Sequence, residues 1–330
     1  MATAETPQVS VVREQLLAGR TRLSEVLSES HSERTLRLLD DIDSALRHID
    51  LGTFGHCDAC DGVIEERRLR ENPAARICLD CLTEKQQRAL EYDLELAAEL
   101  QKGLLLSPNA RFEGWEVAQY YEPAGMVSGD YCDVIRENGH LYFIMADVSG
   151  KGVAAAMLAS NLRAVFRSLI PLGLSIEEFM VRANRLFRES ALPSQYATTV
   201  FGRTSKSGEL ELVNVGHLPV LLAGKSGVQR FESTCHPLGL FSDDEVCTTK
   251  AQMSPGDTLV LYTDGISEAA NERDEEYGIE AVAKLIADQP FCCPSTLVEQ
   301  LKQNVASFRG RAKRTDDETM LAIQYAPTAV

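Results

Sequence analysis

No stretch of about 18 consecutive apolar residues is present, so a membrane-spanning helix is not expected. The N-terminus, MATAETPQVSVVREQ, lacks a basic start followed by an apolar core, so no secretion signal is expected and the chain reads as cytoplasmic. Basic residues are in deficit, 33 Lys and Arg against 49 Asp and Glu, which leaves a net charge of −16 at pH 7. A field of that sign repels polyanions and disfavours nucleic acid as a partner. The excess carboxylate also fits a chain that gathers hard cations, although solubility alone accounts for the charge. Tryptophan occurs once, at Trp115, and is expected to pack where the second domain begins. Cysteine is the exception to scarcity, with nine residues. An odd number without a secretion signal excludes a disulfide framework as the default and leaves metal binding or burial.

At 330 residues, with 44% hydrophobic and 25% charged, the chain is globular and long enough for two domains joined by a helical connector. Residues 1–51 read as a helical hairpin. Val11, Leu16, Leu17, Leu23, Val26 and Leu27 mark one stripe and Leu36, Leu39, Ile42, Leu46 and Ile49 the other, with Ser30 or Ser32 as the cap between them. Residues 83–106 read as a helical linker. Leu90, Leu94, Ala97, Gln101 and Leu104 form a short heptad seam with one polar position, suited either to a homodimer or to packing on its own domain. From Trp115 the texture turns to short strands (WEVAQYY, LYFIMADV, TTVFGR, LELVNV, TLVLYTDG), with helices at AAAMLASNLRAVFRSLI, SIEEFMVRANRLFRES, 279–288 and 296–308. Meandering strands with grouped helices point to an α+β layered domain over 107–330.

Between hairpin and linker, residues 52–82 hold Cys57, Cys60, Cys78 and Cys81 as C-x2-C-x17-C-x2-C, a spacing suited to a four-cysteine zinc site. Each C-x-x-C turn presents two thiolates, and the insert lets the pairs converge on one Zn²⁺. The stretch GTFGHCDACDGVIEERRLRENPAARICLDC resembles the C-terminal finger of the DksA/TraR family across residues 34–82, with Arg68, Leu69 and Pro73 preceding the second pair. In that family the finger is structural and a long coiled coil reaches into RNA polymerase. The helices here are too short for that reach, so the resemblance implies a structural finger without polymerase binding.

The second domain carries recurrent strand-end carboxylates. They are Asp130 in VSGDYCD, Asp147 in FIMADVSGKGVAAAM, Asp264 in LVLYTDGISEA, and Asp316 with Asp317 in TDDETMLAI. Brought together, such acids supply hard oxygen ligands for Mg²⁺ or Mn²⁺, and no His or Cys stands in the motifs to favour zinc. Cys132 lies between acids that raise its pKa, so it is read as non-catalytic. Lys151 is read either as a phosphate contact or as a solvent-facing lysine, and His217 either as a general acid or as a turn histidine.

In order along the chain, LELAAELQKGLL, YEPAGMVSGDYCD, DVSGKGVAAAML, YATTVFGR, VNVGHLPVLL, SPGDTLVLYTDGISEA and DDETML resemble the SpoIIE/RsbU branch of the metal-dependent protein phosphatase 2C family over residues 96–325. The resemblance implies an αββα sandwich with a two-metal site at one end. It implies that Asp147 bridges two Mn²⁺ or Mg²⁺ ions and that the Val148 carbonyl ligates one. Asp130 is then on one side, with Asp264 and Asp316 on the other. Asp316 is preferred to Asp317 because it aligns with the first acid of the family's DDxT stretch. The implied activity is serine/threonine phosphoprotein hydrolysis by metal-activated water. The implied substrate is a phosphorylated anti-sigma-factor antagonist. Two other readings are a non-catalytic phosphatase-like scaffold and a finger-mediated transcription regulator. Metal content separates enzyme from scaffold: one zinc with two exchangeable Mn²⁺ per chain is expected of the enzyme, and zinc alone of the scaffold.

Overall fold

The computed structural model describes the chain apart from residues 1–6, 30–32, 83, 106, 193, 241–245, 290, 291 and 328–330. The expected cap at Ser30 or Ser32 therefore lies outside the described residues. Helices α1 (Pro7–Glu29) and α2 (Glu33–Asp50) pair as a hairpin. Ion pairs Arg13–Asp50 (2.8 Å) and Arg20–Asp43 (2.7 Å) run in opposite order along the two helices, as antiparallel packing requires. Leu16 and Ala45 are buried in the hairpin. The finger follows, with the short α3 (Glu66–Glu71) between its two cysteine pairs, and then α4 (Glu84–Gly103). Arg76 ties the finger to the hairpin by bonding Asp58 (2.6 Å) within it and Asp40 (3.0 Å) on α2.

The rest of the chain is built from β1 (Asn109–Phe112), β2 (Trp115–Glu122), β3 (Asp130–Glu137), β4 (His140–Val148), α5 (Val153–Leu169) and α6 (Ile176–Ser190). Next come β5 (Ala197–Ser205), β6 (Glu209–Val215), β7 (Val220–Gly224), β8 (Gly227–Phe231), β9 (Thr249–Gln252) and β10 (Thr258–Tyr262). The short α7 (Asp264–Ser267), α8 (Ile279–Ala287), α9 (Pro294–Arg309) and β11 (Glu318–Tyr325) complete it. Two sheets form, ordered β1-β2-β11-β10-β7-β8 and β3-β4-β5-β6-β9, and their strands pair antiparallel.

Strand periodicity divides the apolar residues among three cores. On β4, Leu141, Phe143 and Met145 enter the core between the sheets, while Tyr142, Ile144, Ala146 and Val148 face α5 and α6. On β10, Leu259 and Leu261 face the other sheet, and Val260 and Tyr262 face α8 and α9. Such central strands are buried on both faces, so they read as continuous apolar runs where half-exposed strands would alternate. The result is four layers, α5–α6, sheet, sheet, α8–α9, with every large apolar side chain on these faces contributing roughly 1.5–3 kcal/mol by burial.

Trp115, at the start of β2, lies in the inter-sheet core, its ring 4.8 Å from that of Tyr325. The segment Val153–Leu172 is long and apolar enough to span a membrane by length and composition. Its residues Leu158, Leu162 and Phe166 are instead buried against the sheet, the place of a core helix. α6 opens with a full capping box, Ser175 accepting from the Glu178 N–H (3.2 Å) while Glu178 accepts from the Ser175 N–H.

β3 escapes pattern reading because Asp130, Asp133 and Arg136 interrupt its apolar residues. The buried Asp133 explains one interruption. It takes two hydrogen bonds from Arg167 of α5, at 2.8 and 3.0 Å, and a third from the Tyr131 hydroxyl at 3.1 Å. Removing the arginine leaves a buried carboxylate half-satisfied. Arg167 is itself part-exposed, so Arg167→Ala is expected to cost about 2 kcal/mol, measured as a drop in urea midpoint at unchanged slope.

Candidate active site and metal centres

Each sheet contributes two acids to one end of the sandwich. Asp130 begins β3 and stands directly opposite Asp147 at the end of β4. Asp264 follows β10, and Asp316 precedes β11, which pairs with β10. Like charges placed opposite each other on neighbouring strands are unfavourable, and burial makes them more so. The titration behaviour follows from that. Burial and then the Asp147 and Asp317 charges push Asp130 well above the usual carboxylate range. Asp147 is raised to about 7 by burial and then by Asp264, Asp316 and Asp317, and Asp264 to about 6 by burial and Asp316. An arrangement that the protein alone leaves electrostatically unsatisfied is what a site for cations looks like.

Asp130 is fixed across the sandwich. Its Oδ2 accepts from the hydroxyls of Thr263 (2.9 Å) and Thr319 (2.5 Å), both from the opposite sheet's chain segments. Two glycines allow the close approach. A Cβ on Gly129 would lie 3.0 Å from the Val148 carbonyl oxygen, and one on Gly265 would collide with the Asp317 carbonyl oxygen. The Gly after Asp264 thus serves backbone proximity, which draws the Asp264 turn against the Asp316–Asp317 segment.

The two adjacent acids of the last motif do different work. Asp317 is consumed by backbone: its oxygens accept from the N–H groups of Ala124 (2.7 Å) and Gly129 (2.9 Å). Asp316 turns outward from that cradle, with Oδ2 2.8 Å from Lys151 Nζ. Lys151 also donates to the Thr315 carbonyl at 2.6 Å, so this exposed lysine is tied to the segment before β11. His217 is buried and lowered to about 4 by desolvation. Its Nε2 lies 3.1 Å from the Tyr262 carbonyl, which only accepts, so Nδ1 receives the Thr198 hydroxyl at 2.8 Å. A neutral imidazole with both nitrogens engaged is a brace between β5 and β10, and has no proton to give as a general acid. Cys132 is buried in the inter-sheet core, where burial and then Asp133 and Asp130 raise its thiol.

Sequence alone reads Gln101 only as the polar position of a heptad seam. In the structure it grips the loop before Asp130: its Nε2 donates to the Ser128 carbonyl (2.7 Å) and its Oε1 accepts from the Ser128 N–H (2.9 Å). The sequence signal is the lone amide in an apolar stripe. Thr263 and Thr319 are likewise readable only as the threonines within YTDG and DDET.

The cysteine module is a second site. Its four Sγ atoms all lie within 4.8 Å of one another, with Cys60 and Cys78 3.7 Å apart. Tetrahedral thiolates at about 2.3 Å from an ion stand at about that separation. Backbone N–H groups of Cys78 (3.3 Å) and Ala59 (3.4 Å) point at Cys57 Sγ, and with these donors leading its pKa falls to about 6. These donors favour the thiolate form a metal requires. No acidic group is drawn that tight: among the described residues only the cysteines bring three or more ligand atoms so close.

The family described as stage II sporulation protein E (SpoIIE) matches residues 137–326, and the prokaryotic dksA/traR C4-type zinc finger matches residues 52–87. Among curated proteins, the chain is 25% identical over 261 residues to Protein IcfG of Synechocystis, covering 70% of this chain and 41% of that one. It is 24% identical over 189 residues to phosphoserine phosphatase RsbU of Bacillus subtilis, covering 56% of each. The chain thus spans about half the length of the curated relatives it matches. Of solved structures, the SiaA-PP2C domain of Pseudomonas aeruginosa superposes with a TM-score of 0.65 at 19% identity, over 74% of this chain and 100% of that one, which speaks to fold alone. The RsbU and RsbW domains of a Mycobacterium tuberculosis protein superpose with a TM-score of 0.56 at 27% identity, over 66% of this chain and 62% of that one.

The carboxylate cluster generates a pH test. The folded pKa values of Asp147 and Asp264 lie above their unfolded values of about 3.9, so these groups favour the folded chain most below pH 4 and lose that contribution as pH rises through about 6 and 7. A cation bound by the ionised acids acts in the opposite direction. Added millimolar Mn²⁺ should therefore raise the thermal midpoint more at pH 8 than at pH 5.5. Equal rises at both values would show that the ion binds elsewhere.

Proposed function

The chain belongs to the stage II sporulation protein E family and carries a DksA/TraR C4-type zinc finger, and from that premise we propose that it is a divalent-metal-dependent serine/threonine protein phosphatase. The observation that carries the proposal is the convergence of Asp130, Asp147, Asp264 and Asp316, two from each sheet, with the buried Asp130 opposite the half-buried Asp147. These acids, with the Val148 carbonyl, are an all-oxygen donor set suited to two Mn²⁺ or Mg²⁺ ions. When bound, such ions supply positive charge to a phosphoryl group and make a water acidic enough to attack it. The chain's own part is to hold the acids in place. Thr263 and Thr319 hold Asp130, Gln101 holds the loop before it, and the engagement of Asp317 by backbone supports Asp316 as the ligand of that pair.

Cys57, Cys60, Cys78 and Cys81 would hold one structural Zn²⁺. We divide the chain into hairpin (1–51), finger (52–82), linker (83–106) and phosphatase domain (107–330). The likeness to RsbU supports a phosphorylated protein as substrate, and an anti-sigma-factor antagonist is the member of that class we assign. A cytoplasmic location, without membrane or nucleic acid, accords with the −16 charge. The linker helix α4 leaves Tyr92, Leu96 and Leu100 exposed at intervals of four, which supports a homodimer through that stripe.

Phosphate release from a phosphoserine peptide, dependent on Mn²⁺, should fall by at least about a hundredfold in both Asp147→Asn and Asp264→Asn, since loss of even an outer-sphere partner of a metal costs about 10–100-fold. Full activity in both variants would sink the mechanism.

A further inference from the structure

A cleft of about 280 Å³ lies beside the carboxylate cluster, lined by the sandwich, the finger and Leu94 of α4. One wall belongs to the sandwich: the 124–127 loop, the Lys151–Gly152 turn and the segment from Arg314 to Asp317. The other is α3 of the finger, which presents Arg67 and Arg70. The two arginines are three residues apart on a helix and so share a face. Leu69, between them, packs instead on the buried Cys57, Ile64 and Cys78 of the finger core. The metal-binding module thereby fixes which way the arginines point.

In a chain of net charge −16, a cleft with four cationic side chains, Arg67, Arg70, Lys151 and Arg314, inverts the average. Its two acids are already occupied. Glu66 is paired with Arg70 at 2.5 Å, and both oxygens of Asp317 are taken by backbone N–H groups. All four cations also have interactions inside the protein, among them Lys151 with Asp316, Arg314 with Glu122 and Glu318, and Arg70 with Glu66. Arg67 reaches across to the sandwich. A Cβ on Gly125 would lie 3.1 Å from its Nη2, so the loop approaches the guanidinium where a side chain would crowd it. Both arginines remain exposed to the cleft.

We infer that Arg67 and Arg70 of the finger form one wall of the substrate site and bind acidic residues flanking the phosphorylated residue of a protein substrate. The inference rests on the phosphatase reading above. Guanidinium groups pair with carboxylates bidentately, and a cleft in which cations outnumber acids, within an acidic chain, attracts such a segment. The finger is then more than a structural clip on the linker, because it selects the substrate. The phosphate itself goes to the carboxylate end, which the cleft adjoins through the Lys151–Asp316 pair.

Two synthetic phosphoserine peptides test this, one with acidic and one with neutral flanks, assayed on the full chain loaded with zinc and Mn²⁺. The wild type should show a KM about tenfold lower for the acidic peptide, and about 200 mM salt should narrow that ratio. The double variant Arg67→Ala/Arg70→Ala should bring the ratio close to one, and Arg67→Lys/Arg70→Lys should restore part of it. Gly125→Val, on the opposite wall, should also reduce the ratio by displacing the Arg67 guanidinium, which keeps the test decisive if the double variant folds poorly. A wild-type ratio of one, or an unchanged ratio in the alanine and valine variants, overturns the inference. If neither peptide is hydrolysed, the phosphatase reading fails on its own. Fluorescence anisotropy with the acidic peptide then decides the arginine wall: tighter binding to wild type than to the double alanine variant supports it, and equal binding overturns it.

Discussion

Asp130, buried, and Asp147, half-buried, face each other across neighbouring strands at one end of the sandwich. Nearby structure is organised around this repulsion. Two hydroxyls from the opposite sheet take Asp130, two glycines let backbone come close enough to aim the remaining acids, and Asp317 is tied into the loop that carries Gly129. An acid pair of this kind destabilises an empty protein and becomes favourable when positive charge arrives. Stability is given up locally for function, and three apolar cores supply the rigidity that holds the arrangement.

The segments before the sandwich meet the same region twice. α4 reaches it through the Gln101 amide, which bonds both backbone groups of Ser128, two residues before Asp130. The finger reaches it through α3, whose arginines line the adjoining cleft. The hairpin adds a contact farther round, Arg22 donating to the Ala191 carbonyl at 3.0 Å just after α6. A shift of α4 is therefore mechanically connected to the loop before Asp130, through hydrogen bonds that a displacement of an ångström would break.

Much of the architecture was legible because its signals are local. The C-x2-C pairs stand on tight turns, so their spacing alone predicts that four thiols converge. The strand runs LYFIMADV and TLVLYTDG announced themselves as continuous apolar stretches because both faces of those strands are covered, and each ended on an acid. β3 was less legible, since the buried Asp133 needs Arg167 from 34 positions later to be acceptable, a pairing no window of sequence contains. His217 could be read from sequence as a general acid or as a turn histidine, and Thr198 with the Tyr262 carbonyl makes it a neutral brace.

The sequence by itself determined the inventory of this protein: a tetrathiolate module, a layered α+β domain, and a set of acids at strand ends. It did so because thiol spacing, strand periodicity and Asp–Gly turns are properties of a few neighbouring residues. Tertiary structure alone decided which acid of the Asp316–Asp317 pair is spent on backbone, that an amide in a heptad seam clasps Ser128, and that finger arginines border the carboxylate cluster. Those outcomes depend on pairs separated by up to about two hundred positions, and only packing the sheets, the linker and the finger together brings such pairs within hydrogen-bonding distance.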